Sequence, residues 1–244
     1  MMTARKISSA PQQGDRTEKP RTEVPLELLD GGTTITLRPR QRLSISGSED
    51  ILYIVTDGVL LLDCMPGSDS RQIVDLFYRG DMIRPDFAPG LPGLGLLAAG
   101  RAEVCRLGRR KLDALLAANA ELATWCLRRT ADQVRRRLAH IAAIGVLKGE
   151  ERLATVLVEL ALRMGEPGYE NARTFDMALS RTDLADYLSL NADTLSRIMS
   201  RLRQSGVLGT AGRGRAYTPS FPALCALSPI ADTVKALHGG SVGP

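Results

Sequence analysis

The sequence predicts an α+β chain: an N-terminal jelly-roll β-barrel, then one long helix, then a C-terminal winged helix-turn-helix. Three observations carry this. Short apolar runs punctuated by Gly and Pro fill residues 26–108, the pattern of a small antiparallel barrel. From Arg109 the apolar residues recur at helical spacing instead. Two short helical patterns and a hairpin rich in Gly and Arg then follow one another between Ser180 and Pro219.

Composition sets the frame. The 244 residues, 44% of them hydrophobic, suffice for two modest domains. A net charge of +5 tolerates nucleic acid as a partner without demanding it. No apolar stretch is long enough to span a membrane, and the opening MMTARKISSAPQQGDRTEKPRTEVP has no hydrophobic segment of the signal-peptide kind. Its polar, charged character predicts a disordered tail over residues 1–25. Cys64, Cys105, Cys126 and Cys225 are dispersed without a C-x-x-C pair, which argues against a zinc knot or a disulfide scaffold and fits a reducing cytoplasm. His140 and His238 add no metal constellation. The G-x-S-x-G, H-E-x-x-H and P-loop patterns are missing, so no catalytic residues and no enzyme activity are expected.

Residues 26–118 are assigned to the barrel domain. TTITLRP, ILYIVTDGVLLLDCMP, QIVDLFYRGD and AEVCRLG are its clearest strand runs. TDG between LYIV and VLLLD predicts a hairpin, because Asp-Gly accepts the positive φ of a tight turn. PDFAPGLPGLGLLAAG, with four Gly and three Pro in sixteen residues, predicts a loop, or a loop around one short helical turn. Such a barrel either holds a ligand or is a plain barrel with a long loop.

RRKLDALLAANAEL predicts a short helix, and a long helix follows to about Leu147. Residues 119–148 are assigned as a dimerisation helix. Leu127, Ala131, Val134, Leu138, Ile141 and Gly145 recur at spacings of 4, 3, 4, 3 and 4, a heptad seam. The helix either packs on its own barrel or pairs with its two-fold mate in a homodimer. Ala and Gly on the seam admit close backbone approach, and the homodimer is the stronger reading. His140, beside the seam, reads as structural.

Residues 149–228 form the third unit, and 229–244 are taken as a C-terminal tail. EERLATVLVELALRMG is an amphipathic helix closed by Gly165 and Pro167. ENARTFDMALS supplies a short strand and a loop. Ser180 is an N-cap and Asp183 stands at the third helical position, a capping box in outline. Asn191 caps a second helix over Ala192 to Gln204, whose apolar stripe is Leu195, Ile198, Met199 and Leu202 and whose terminator is Gly206. A pair of this kind lays the N-terminal end of its second helix in the major groove of double-stranded DNA. GVLGTAGRGRAYTP then makes a wing, with Arg213 and Arg215 at its tip suited to backbone phosphate. Between Leu195 and Pro219 there are five arginines and no acidic residue. Two other classes compete. A protein-interaction module would lack specific DNA binding. A cupin-like small-molecule-binding protein would need histidine and glutamate ligands in residues 26–108, which contain no histidine.

These segments resemble the Crp/Fnr family of bacterial transcription regulators. LSRTDLADYLSLNADTLSRIMSRLRQSGVL is similar to the family's DNA-binding signature, especially that of the Fnr and FixK branches. ILYIVTDGVLLL and FYRGDMI are similar to segments of its cyclic-nucleotide-binding-like sensor barrel. The resemblance spans about residues 26–228. It implies a homodimeric regulator on a palindromic TTGA-like site, with RNA polymerase as protein partner. It also implies that Asp193, Ser196 and Arg197 read bases. Backbone contacts fall to Ser180, Thr182, Thr194, Arg201, Arg213 and Arg215. The two branches usually carry Glu where this chain has Asp193. The sensor end departs further. Gly80 is followed by Asp81, and Arg101-Ala102 stands where cyclic-AMP binders have an Arg followed by Ser or Thr, which disfavours cyclic AMP. Cys105 matches one ligand of the Fnr iron–sulfur cluster, but the N-terminal cysteines are absent, which disfavours that cluster. No cofactor is predicted; haem or another small effector stays open.

Overall fold

The computed structural model describes residues 23–43, 45, 50–67, 71–85 and 90–238. Residues 1–22 of the expected tail lie outside them. Residues 23–25 lead directly into α1 (Leu26–Asp30); Val24 ahead of the helix and Leu28 within it are buried.

Eight strands follow: β1 (Thr33–Leu37), β2 (Arg42–Leu43), β3 (Ile51–Asp57), β4 (Leu60–Cys64), β5 (Gln72–Phe77), β6 (Met82–Ile83), β7 (Gly95–Ala98) and β8 (Ala102–Gly108). They do not close into a barrel, which corrects the sequence expectation. They form two open four-stranded sheets, ordered β1-β8-β3-β6 and β2-β7-β4-β5. β2 and β6, which stand at sheet edges, are two residues long, too short to zip the sheets together into a closed ladder.

The expected hairpin at Thr56-Asp57-Gly58 is absent, because β3 and β4 belong to different sheets. β3 pairs with β8 and β6, whereas β4 pairs with β5 and β7. The turn does not return the chain along its neighbour; it carries it from one sheet to the other. Gly58 has φ +76, and a Cβ there would lie 2.5 Å from the Arg101 carbonyl oxygen. Gly58→Ala is therefore expected to cost on the order of 2 kcal/mol or more, read as a fall in Tm of about 4 °C or greater. An unchanged melt would show that the turn relaxes freely. GLLA, taken as loop, is the strand β7, which pairs with both β2 and β4.

The strands β3 and β4 are covered on both faces. Tyr53, Val55, Leu60, Leu62, Phe77, Leu96 and Val104 meet between the sheets. Leu52, Ile54, Cys105 and Leu107, on the outer face of the first sheet, pack with Leu28 and with Leu112 and Leu122 of the helices α2 (Arg109–Ala118) and α3 (Ala120–Val146). Leu61, Ile73, Leu76 and Leu97, on the outer face of the second, join the core of the C-terminal domain. Strands buried on both faces read as continuous apolar runs rather than alternating ones, which is why ILYIV and VLLL carry no visible period.

The C-terminal domain contains α4 (Gly149–Arg163), β9 (Gly165–Pro167), β10 (Arg173–Asp176), α5 (Arg181–Leu188), α6 (Ala192–Gln204), β11 (Gly209–Thr210), β12 (Arg215–Thr218), α7 (Phe221–Ala226) and α8 (Ala231–His238). Its four strands form one antiparallel sheet, β11-β12-β10-β9. Residues 231–238, within the expected tail, are the helix α8; Ala231, Val234 and His238 are buried, and the first two join the domain core.

Candidate nucleic-acid interface

The helix pair is built by its caps. Ser180 Oγ accepts from the Asp183 backbone N–H at 3.0 Å, and the Asp183 carboxylate takes the Ser180 N–H at 3.3 Å and its hydroxyl at 2.6 Å. Ser189, at φ 52, ends α5 in the left-handed region. Asn191 Oδ1 accepts from the backbone N–H groups of Asp193 at 2.8 Å and Thr194 at 3.2 Å, which starts α6. Leu195, Ile198, Met199 and Leu202 are all buried. That fixes the rotation of α6 about its axis.

The opposite face of α6 is turned to solvent. Asp193, Thr194 and Arg197 are exposed and Ser196 is half-buried. The base-reading candidates Asp193, Ser196 and Arg197 stand at spacing i, i+3, i+4, one polar patch near the helix N-terminus. Among the backbone-contact candidates, Ser180 spends its hydroxyl on the cap and Thr182 is exposed. Arg201 pairs with Glu150 at 3.0 Å, but both side chains are solvated and such a pair is worth less than about 1 kcal/mol. At the wing, Gly212 (φ 103) and Gly214 (φ 75) flank the exposed Arg213. Arg215 lies 3.0 Å from Asp176, a charge contact without hydrogen-bond alignment.

The seam of α3 faces away from its own domain. Leu127, Val134, Leu138 and Ile141 are 72, 45, 61 and 65% exposed, Gly145 is exposed and Ala131 half-buried. The face that packs inward carries polar residues between Leu122 and Ala143: Arg129, Gln133 and Arg136 are buried. Gln133 bonds the backbone of Met82 through both its amide atoms, while Arg136 Nη2 and Arg129 Nη2 approach Asp81 at 2.6 and 3.3 Å. Arg163 of α4 completes this enclosure of Asp81 at 3.7 Å. His140 stacks on Tyr187 at 3.9 Å, and burial lowers its pKa to about 4, so it is neutral at physiological pH.

The sequence did not reveal the charged residues between the two domains, Arg40, Arg42, Arg71, Asp63, Asp183 and Asp186. One signal was available: Asp63 interrupts the apolar run VLLLDC, and an acidic residue in a strand buried on both faces needs a partner.

Among the described residues no group of three or more His, Cys, Asp and Glu side chains is placed to hold a metal ion. Cys105 is buried, its Sγ 3.6 Å from the Leu28 carbonyl oxygen, and burial raises its pKa. Among the same residues no helix is long and apolar enough to cross a membrane. A cavity of about 260 Å³ lies between the second sheet, β6 and α3, lined by Leu62, Phe77, Met82, Gln133, Arg137 and Ile141 among others.

Residues 151–227 match the model of the Crp-like helix-turn-helix domain. The chain is 32% identical over 167 residues to a probable transcriptional activator of Rhizobium leguminosarum bv. viciae, covering 66% of this chain and 67% of that protein. It is 28% identical over 162 residues to the nitrogen fixation regulation protein FixK of Azorhizobium caulinodans, covering 64% and 63%. In fold it is similar to FixK2 from Bradyrhizobium japonicum, with a TM-score of 0.68 at 24% identity over 81% of this chain and 97% of that one.

Proposed function

The chain belongs to the Crp/Fnr family of DNA-binding transcription regulators, and we propose that it acts as a homodimer on a palindrome with TTGA-like half-sites. One observation carries the reading. A single chain exposes two faces of opposite character: the polar patch of α6 and the apolar seam of α3.

The seam would pair with its copy across a two-fold axis and present two α6 helices to successive major-groove segments. Arg197 would donate bidentately to a guanine, and Asp193 would accept from a cytosine amino group. Thr182, Thr194, Arg201 and the wing arginines would hold the phosphates. RNA polymerase is the proposed protein partner at a promoter. The α3 cavity offers a route for control, because Ile141 belongs to both the cavity wall and the seam.

Selection of bound DNA from a random pool by the purified protein tests this. The expected result is an enriched palindrome with half-sites centred about one helical turn apart. Enrichment of a single unpaired site, or of none, would overturn it.

A further inference from the structure

Only Leu147 and Lys148 separate α3 from α4. The C-terminal domain is nevertheless held to the second sheet by a bridge of charge. Arg42 grips Asp63 of β4 at 3.0 and 2.9 Å, and Arg71 Nε donates to the same carboxylate at 2.8 Å. The guanidinium of Arg71 also reaches across the domain boundary. Its Nη1 lies 2.7 Å from Asp183 and 2.8 Å from Asp186, both on α5. Arg40, in the turn after β1, donates to both oxygens of Asp183 at 2.9 and 3.0 Å.

Three arginines thus face three aspartates and the charges cancel. Asp63 and Asp183 are each 2% exposed, so neither is stable there without its partners. Burial alone would raise the Asp183 pKa, but the Ser180 hydroxyl, Arg71 and Arg40 outweigh it and hold the carboxyl below its usual range. Asp183 is also the capping-box residue of α5. The group that starts the helix-turn-helix is therefore the group the β-domain grips. Beneath the bridge, Leu61 and Ile73 of the sheet share a core with Leu184 and Leu188 of α5. Apolar contact of that kind is non-directional and permits sliding, whereas forked arginine–carboxylate bonds fix direction.

We propose that the Arg40–Arg71–Asp183–Asp186 bridge sets the half-site spacing that the protein accepts. It locks the reading helix to the β-domain, and through it to the dimer helix, so that the two α6 helices stand at one separation and one angle. The bridge does not mask the reading face, since Asp193 and Arg197 stay exposed beside it. Each added base pair moves the second half-site by about 3.4 Å and turns it by about 34°, so a fixed joint rejects neighbouring spacings that a loose joint accepts. The inference rests on the proposed homodimer and palindrome.

The test is a series of palindromes whose spacer changes one base pair at a time, beside a single half-site. Wild type is compared with Arg71→Ala, Arg71→Lys and Asp186→Ala. Lysine keeps the charge but cannot fork to three carboxylates, and Asp186→Ala leaves the Ser180–Asp183 cap intact. Wild type should show one sharp spacing optimum. The variants should lose about 10- to 100-fold in affinity at that optimum, lose less at neighbouring spacings, and stay within about threefold on the half-site. An unchanged spacing profile would overturn the proposal, as would an equal loss on half-site and palindrome. A wild type without any spacing optimum would remove the homodimer reading, and this inference with it.

Discussion

Arg197→Ala is expected to flatten base preference at one position of each half-site, costing about 1–3 kcal/mol per half-site contact against the selected palindrome. The variant should still fold. Arg197 is exposed, and the stripe that seats α6, Leu195, Ile198, Met199 and Leu202, is untouched. Binding to random DNA should change little, because phosphate contacts supply that term. Arg213→Ala gives the contrasting pattern. It should weaken all sequences alike and reduce the slope of log K against log salt by about one per wing. Titrations of selected and scrambled sites at several salt concentrations separate the two. If Arg197→Ala bound the selected palindrome as tightly as wild type, the assignment of the reading face would be wrong.

Leu138→Glu is expected to separate the dimer and to lower palindrome affinity by about 100-fold or more, while leaving single half-site binding nearly unchanged. Leu138 is 61% exposed in the single chain, so its replacement should move the stability of one subunit by no more than about 0.5 kcal/mol. Across a two-fold axis the two carboxylates would face each other in an apolar seam and could not both keep their water. Sedimentation reports the subunit number and fluorescence anisotropy the affinity. A variant that stays dimeric with full palindrome affinity would place the subunit interface elsewhere.

The legible parts of this protein are those ruled by local chemistry. Ser180, Asp183 and Asn191 announce two helix starts by their side chains, and each makes the backbone bond expected of it. The four apolar positions of α6 recur at helical spacing and are all buried. Gly206, at φ 72, follows that helix. The longer strand runs are readable too, but Gly and Pro hide β7 inside an apparent loop, and β2 and β9, of two and three residues, are too short to show a period. α8 carries little signal in the sequence, because its buried positions Ala231, Val234 and His238 make a stripe of only three, one of them polar.

The sequence by itself determined the long helices and the main strand runs, where the helix pair begins and ends, and that its positive charge lies beside the second helix. Caps, periods and residue types act over a few residues, so they can be read in order along the chain. Only the tertiary structure decided which strands pair. Asp57-Gly58 is compatible with a hairpin and with a crossing between sheets, and β3 and β4, each buried on both faces, carry no local pattern that names their partners. The structure alone also decided that α3 turns Arg129 and Arg136 inward to Asp81 and Leu127 and Leu138 outward. Burial of charge follows from where the opposite charge stands, and Asp81 is 55 residues from Arg136. The same holds for Arg71 and Asp183, 112 residues apart: no local pattern links them, and only folding brings them to one joint.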